Sequence, residues 1–423
     1  MKKLFFLLLF VLPITANAQF KFDDYFVDKT LRFDFFHTGD RVSETIAFDK
    51  LIEEGIWSGS KKNLIDTLKY GHYMLMVLCA KDKVEIYSRG FSTLYQEWQT
   101  TEESKNTIRS MQGSVRFPLP KSKVIVELHR RDMKNVFQKI FEREVDPSSY
   151  FIIKERIKPF ESFKVHYSGE PEKKLDIVFI PEGYSKSEMA KFKEDCSRFA
   201  GYLFDYSPFT ENKSKINIWG VEAPSAESET DIPGKGIWKQ TLLNSRFYTF
   251  DSERYLMTSD YHLVKDVAAN APYDQVFIIV NTSKYGGGAI YNFYSMTSAY
   301  DKRANQIFIH ELGHGLAGLG DEYASDNTYQ DMYPTNVEPW EPNLTTMVNF
   351  ESKWKHLVED GTPIPTPSDE KYINKIGVFE GGGYVSKGVF RPTQNSIMNS
   401  FSSNEFNLVC REVLEKVINF YAE

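Results

Sequence analysis

Residues 310–323 read HELGHGLAGLGDEY, and the rest of the chain can be read outward from them. His310 and His314 are four apart, so on a helix they stand one turn apart on one face, where both imidazoles can reach a single ion. Glu311 lies beside them, angled away from that ion, and can reach a water next to it as a general base. The apolar run Ile307-Phe308-Ile309 leads into the motif and makes the helix partly buried. A chance match on a surface helix would lack that run, and unpaired imidazoles in a buried setting are costly. The spacing predicts a helix over Arg303 to Gly318. Gly315 and Gly318 each cost ~1 kcal/mol inside a helix relative to alanine, so a left-handed cap near Gly318 should end it and turn the chain back.

A catalytic zinc takes three protein ligands and leaves a fourth position for water. Asp321 follows the glycine turn and is expected to be the third ligand after His310 and His314. The pattern is one residue longer than HExxHxxGxxH, and its ligand is an aspartate instead of a histidine. Glu322 or a distant acid stands as the alternative, with Glu322 otherwise expected in a supporting role. Downstream, Ser396-Ile397-Met398-Asn399 has the form of a methionine turn flooring such a site, although a methionine alone more often fills a core gap. Tyr323 and the tyrosines of 291–300 are candidates for stabilising an oxyanion.

Upstream, Leu175 to Ile180, Ile216 to Val221 and Val276 to Val280 are short apolar runs of the kind found in strands buried on both faces. Helical periodicity intervenes over Ser185 to Asp205 and Tyr261 to Ala269, and returns over Asn404 to Tyr421. This alternation predicts an α/β unit with a mixed sheet over 175–423. Gly286-Gly287-Gly288 reads as a tight turn, since the lysine and serine of a phosphate loop are absent. Ala289 to Ser298 reads as one strand, whose open edge would hold a peptide substrate. Residues 19–160 offer period-two, aromatic and β-branched runs such as Lys83 to Tyr87, Ser114 to Phe117 and Lys123 to Glu127, broken by turn signals, and predict an all-β sandwich. Leu64 to Cys79 suits helix or strand. Pro159, Gly169 and Pro171 mark a linker over 161–174. The fold class expected is therefore α+β.

With 41% hydrophobic and 26% charged residues among 423, the chain has the make-up of an ordinary folded protein. Lys2 and Lys3, the apolar run Leu4 to Leu12 and Ala16-Asn17-Ala18 read as a signal peptide over 1–18, too short in its apolar part to span a bilayer. Export to the periplasm, cell surface or medium is expected. Removing that segment takes the formal net charge from −7 to −9, which argues against nucleic acid as partner. Cys79, Cys196 and Cys410 are too few and too scattered for a disulfide framework.

The sequence resembles the secreted bacterial IgA peptidase family of metzincin-like zinc metallopeptidases, whose motif is similar to HExxHxxxGLxDEY. His310, Glu311, His314, Gly318, Leu319, Asp321, Glu322 and Tyr323 carry the likeness, with Ile180 to Tyr184, Ser225 to Pro233 and Gly382 to Met398 around them. The resemblance covers about Lys174 to Glu423. It implies a zincin-like catalytic fold, His310, His314 and Asp321 as zinc ligands, Glu311 as catalytic acid/base, and a β-sandwich before the catalytic unit.

The function expected is that of an exported zinc endopeptidase in which Glu311 activates a zinc-bound water against a peptide or protein substrate. Two other readings stand beside it. One is a surface or glycan-binding protein with a vestigial zinc site, against which the intact Glu311 speaks. The other is a zinc amidase or aminopeptidase working on small substrates in a blind-ended cleft.

Overall fold

The alternating runs of the first third form seven strands in a computed structural model that describes residues 21–155, 158–324 and 333–422. The expected signal peptide lies outside these residues. A one-turn helix α1 (Phe22–Tyr25) precedes β1 (Phe26–Gly39), β2 (Glu44–Glu53), β3 (Tyr73–Cys79), β4 (Glu85–Phe91), β5 (Arg109–Pro120), β6 (Val124–Arg131) and β7 (Phe137–Val145). They pair into antiparallel sheets ordered β2-β1-β5 and β4-β3-β6-β7. Alternate residues of both sheets, among them Leu31, Phe33, Phe35, Leu75, Val77, Val126 and Leu128, meet in one core, as period-two burial requires. Only 73–79 of the ambiguous 64–79 stretch is strand. Ahead of it the Asp66 carboxylate accepts the N–H groups of Leu68, Lys69 and Gly90 and holds the chain in turns. A short helix α2 (Leu94–Trp98), capped by the Thr93 hydroxyl, leaves this region toward the second half of the chain.

That second half contains β8 (Ser162–His166), β9 (Leu175–Glu182), α3 (Met189–Phe204), β10 (Ile216–Val221), α4 (Tyr261–Ala268), β11 (Gln275–Val280), β12 (Gly287–Ile290), β13 (Tyr294–Ser298), α5 (Ala304–Ala317), β14 (Phe379–Gly382), β15 (Val385–Arg391) and α6 (Leu408–Tyr421). Six strands form one mixed sheet in the order β12-β13-β11-β9-β10-β8. Its four central strands are parallel, and β12 and β8 run antiparallel at its edges. Ile177, Phe179, Phe277 and Ile279 pack on one face with α3, α5 and α6. Val178, Ile180, Val276 and Ile278 pack on the other with α4 and with Leu94, Tyr95 and Trp98 from the N-terminal part. The apolar runs are continuous because both faces are covered. Among the described residues no helix is long and apolar enough to cross a membrane, and all three cysteines are free.

Three sequence expectations need correction. The stretch 161–174 is not a free linker, because Ser162–His166 pairs with β10 as an edge strand. The glycines are not a tight turn, because Gly287 and Gly288 begin β12. Ala289 to Ser298 is not one open strand, because β12 and β13 form a hairpin and β13 is hydrogen-bonded on both sides, to β12 and β11. Asn292 sits in the hairpin turn with φ +50°, and its N–H donates to the Gly315 carbonyl at 2.8 Å.

Candidate metal centre

Helix α5 carries the histidines and ends where its glycines predict: Gly318 adopts φ +61° and ψ +29°, a left-handed cap. The Gly318 N–H returns to the His314 carbonyl and that of Leu319 to the Gly313 carbonyl. Asn343 then threads the reversing chain, accepting from the Gly320 N–H at 2.7 Å and donating to the Gly320 carbonyl at 2.9 Å. Gly383 and Tyr384, in the turn between β14 and β15, donate their N–H groups to the carbonyls of Asp321 and Tyr323. Held from both sides, Asp321 faces back toward the helix.

The structure brings His310, His314 and Asp321 together, with one donor atom from each within 4.8 Å of the others. The Asp321 Oδ1 atom is 3.2 Å from His310 Nε2 and 3.4 Å from His314 Nε2. Each imidazole is fixed through its other nitrogen. His310 Nδ1 donates to the Ile397 carbonyl at 3.0 Å and His314 Nδ1 to the Leu319 carbonyl at 2.5 Å. With a proton on each Nδ1, both Nε2 atoms point inward, 3.1 Å apart, where a metal ion would take the place of any proton they carry. The second Asp321 oxygen accepts the Tyr384 hydroxyl, while Oδ1 is buried without a hydrogen-bond partner. Two imidazole nitrogens and one orphaned carboxylate oxygen form a donor set suited to zinc.

Charge balance favours a cation at the same place. Burial alone would lower the His314 pKa, but the adjoining Asp321 carboxylate overrides it and pushes the value up to about 9. Burial would raise Asp321, and the two histidines instead hold it well below the ordinary range. Glu311 is raised, mainly by burial. A Cβ on Gly287 would lie 2.9 Å from Glu311 Oε1, so the edge strand approaches the glutamate more closely than a side chain would allow.

Glu322 does not join this group. Its buried carboxylate accepts from Ser396 Oγ at 2.5 Å, Asn343 Nδ2 at 3.0 Å and Asn407 Nδ2 at 2.9 Å. Its N–H donates to the carbonyl of the fully buried Met398, which lies beneath Gly313 of the histidine helix. Of the tyrosines considered for an oxyanion, Tyr294 and Tyr300 have their hydroxyls bound to Thr258 and Asp195. Tyr323 stays near the site and accepts from the exposed Arg254 guanidinium at 3.3 Å.

Sequence reasoning missed Arg254, Tyr384 and Glu97. Arg254 precedes a segment that pairs with Gly287 on the outer side of β12, through Arg254 O and Leu256 N. Glu97, on α2 of the N-terminal part, accepts the Tyr255 hydroxyl. Burial chiefly pushes its pKa up to about 7, with the charges of His314, Glu311 and Asp321 also felt. The only signal for Tyr384 was the Gly381-Gly382-Gly383 run before it, and Glu97 and Arg254 had none.

A profile of the family described as IgA Peptidase M64 matches residues 163–375 and 368–418. One described as Peptidase M64 N-terminus matches 21–142. No curated protein matches the chain. The first match alone spans more than half of the sequence and includes both histidines, Glu311 and Asp321, so the chain belongs to the IgA peptidase M64 family, a family of metallopeptidases.

Proposed function

We propose that this protein is an exported zinc-dependent endopeptidase with a metzincin-like catalytic unit, in which His310, His314 and Asp321 hold the metal. The observation that carries the reading is the orphaned Asp321 Oδ1, buried between two Nε2 atoms whose rings are locked by carbonyls on their far sides. Such an oxygen is costly to bury unless a cation, a metal ion or the proton it draws onto His314, completes it. Zinc, when bound there, supplies a Lewis acid that polarises the scissile carbonyl and acidifies a water.

The chain's own groups do the rest. Glu311 takes the proton of the attacking water and passes it to the departing amine, and a carboxyl whose pKa is raised by burial suits a group that must hold a proton between those steps. Tyr323 and Arg254 stand on the side toward β12 and donate to the developing oxyanion. Ala289 lies opposite Ser295 of β13, faces the same way as Gly287, and on the outer side of β12 has no main-chain hydrogen bond among the described residues. It offers a short edge for an extended peptide, in place of the longer strand read from sequence. The signal-like segment at 1–18 supports export.

The test is metal analysis of the purified protein together with digestion of a broad peptide library, before and after chelation and zinc return. One zinc per chain and zinc-restored cleavage within peptides are expected. Full cleavage by the metal-free protein would overturn the reading.

A further inference from the structure

Among the described residues, a group of buried polar atoms without hydrogen-bond partners, Arg89 Nη1, Ser114 Oγ and the Tyr273 hydroxyl, lies away from Glu311. It lines a cavity of about 60 Å³ between the N-terminal sheets and the catalytic half. On this measure a water needs ~10–15 Å³, so there is room for several waters or one small oxyanion. The lining includes Arg89 and Arg116 from the N-terminal strands, Lys265 from α4, and Ser114, Tyr273 and Asp274.

Arg89 is 7% exposed, and its Nη1 has no hydrogen-bond partner. Its guanidinium lies over the rings of Phe420, Tyr421 and Tyr87, and among the described residues no carboxylate comes within ion-pair distance. Asp66, the nearby acid, is occupied by three backbone N–H groups. Lys265 is equally buried and among the described residues also lacks an acidic partner within that distance; burial, with Arg116 and Arg32 close by, pulls its ammonium pKa down to about 7, so it would hold its proton most firmly beside an anion. Arg116 donates to the Tyr273 carbonyl at 2.8 Å and pairs with Glu54 at 3.1 Å. Ser114 Oγ and the Tyr273 hydroxyl are buried and unbonded. Asp274 is the one acid in the lining; burial pushes it up to about 7 against the pull of Arg116 and Arg89, so near neutral pH it is only a partial countercharge to them. Water could satisfy the hydrogen bonds, but it cannot supply the countercharge that a desolvated guanidinium requires.

We propose that this interdomain cavity binds a small oxyanion, held by Arg89, Lys265 and Arg116 with Ser114 and Tyr273 as hydroxyl donors. Its walls come from both halves of the chain, and Asn292 of the β12–β13 turn also lines it. The bound anion therefore joins the N-terminal sheets to the hairpin that flanks Glu311.

The test is calorimetric titration of the full chain with inorganic phosphate, sulfate and acetate against chloride at matched ionic strength, with the unfolding midpoint followed alongside. Phosphate and acetate separate a tetrahedral oxyanion from a carboxylate. One saturable site per chain is expected for at least one of them. Arg89→Met should weaken it about tenfold or more, and Tyr273→Phe, which removes only a hydroxyl, roughly threefold to tenfold. If Arg89→Met fails to fold, Tyr273→Phe decides. Absence of saturable binding by the wild type, or affinity unchanged in the folded variants, overturns the proposal.

Discussion

Among the described residues, two groups of histidine and aspartate side chains lie close enough together to share a cation: His310, His314 and Asp321, and Asp34, Asp49 and His262. They differ in what already holds their donor atoms. Asp34 is clamped by Arg32, which donates from Nε at 2.9 Å and Nη2 at 2.7 Å, and His262 Nε2 is bound to the Gly113 carbonyl at 2.9 Å. In the first group the far nitrogens are tied down, and the near atoms, His310 Nε2, His314 Nε2 and Asp321 Oδ1, face only one another. Proximity of ligand-type residues is therefore a weak criterion, and the partners on their far sides decide what they can bind.

That contrast can be broken experimentally. Asp321→Ala should reduce bound zinc to trace levels and peptide cleavage to background, as measured by metal analysis and turnover; full zinc occupancy would remove Asp321 from the ligand set. Glu311→Gln should retain the zinc while lowering kcat about 10²- to 10⁴-fold, and wild-type turnover would exclude the acid/base role. Tyr384→Phe frees one Asp321 oxygen and should weaken zinc about 10- to 100-fold in a competitive chelator titration. An unchanged affinity there would show that the phenol does not support the ligand. Asp34→Asn, by contrast, should leave zinc content untouched and lower stability by about 3 kcal/mol in urea unfolding, since it weakens a buried ion pair. Loss of zinc in that variant would erase the distinction between the two groups.

The smallest effect concerns pH. Glu97 has a folded-state pKa of about 7, above its unfolded value of ~4.3. The folded protein therefore holds a proton that the unfolded chain has released. This contribution is complete below the unfolded pKa and is lost as pH rises from there through about 7. Replacing Glu97 by Gln should flatten the fall in urea midpoint between pH 5 and pH 8; parallel curves would show that the carboxyl ionises normally.

Much of this was legible in the sequence where the signal is local. The histidine pair, the left-handed cap at Gly318 and the acid after it are set by helix geometry and glycine conformation within a dozen residues. The strands β9, β10 and β11 announced themselves as unbroken apolar runs. The polar Ser162–His166 did not, because an edge strand needs no such run and this one lies between proline and glycine signals. The glycines of β12 were misread because their reason is a neighbour distant in sequence: the Glu311 side chain occupies the space beside Gly287. The roles of Tyr384, Glu97 and Arg254 depend on contacts that only the folded chain creates.

The fully buried Glu322 carboxylate carries a consequence for how the protein is made. It joins the chain after α5 to Ser396 and to Asn407 and Cys410 at the start of α6. The carbonyl that orients His310 lies 87 residues beyond it, and Cys410 lies 88 beyond Glu322. A ribosome completes both histidines and Asp321 long before it reaches Ile397, whose carbonyl fixes the His310 ring. An unfinished chain that stops before residue 396 therefore carries His310 without the carbonyl that orients it and Glu322 without its buried partners Ser396, Asn407 and Cys410.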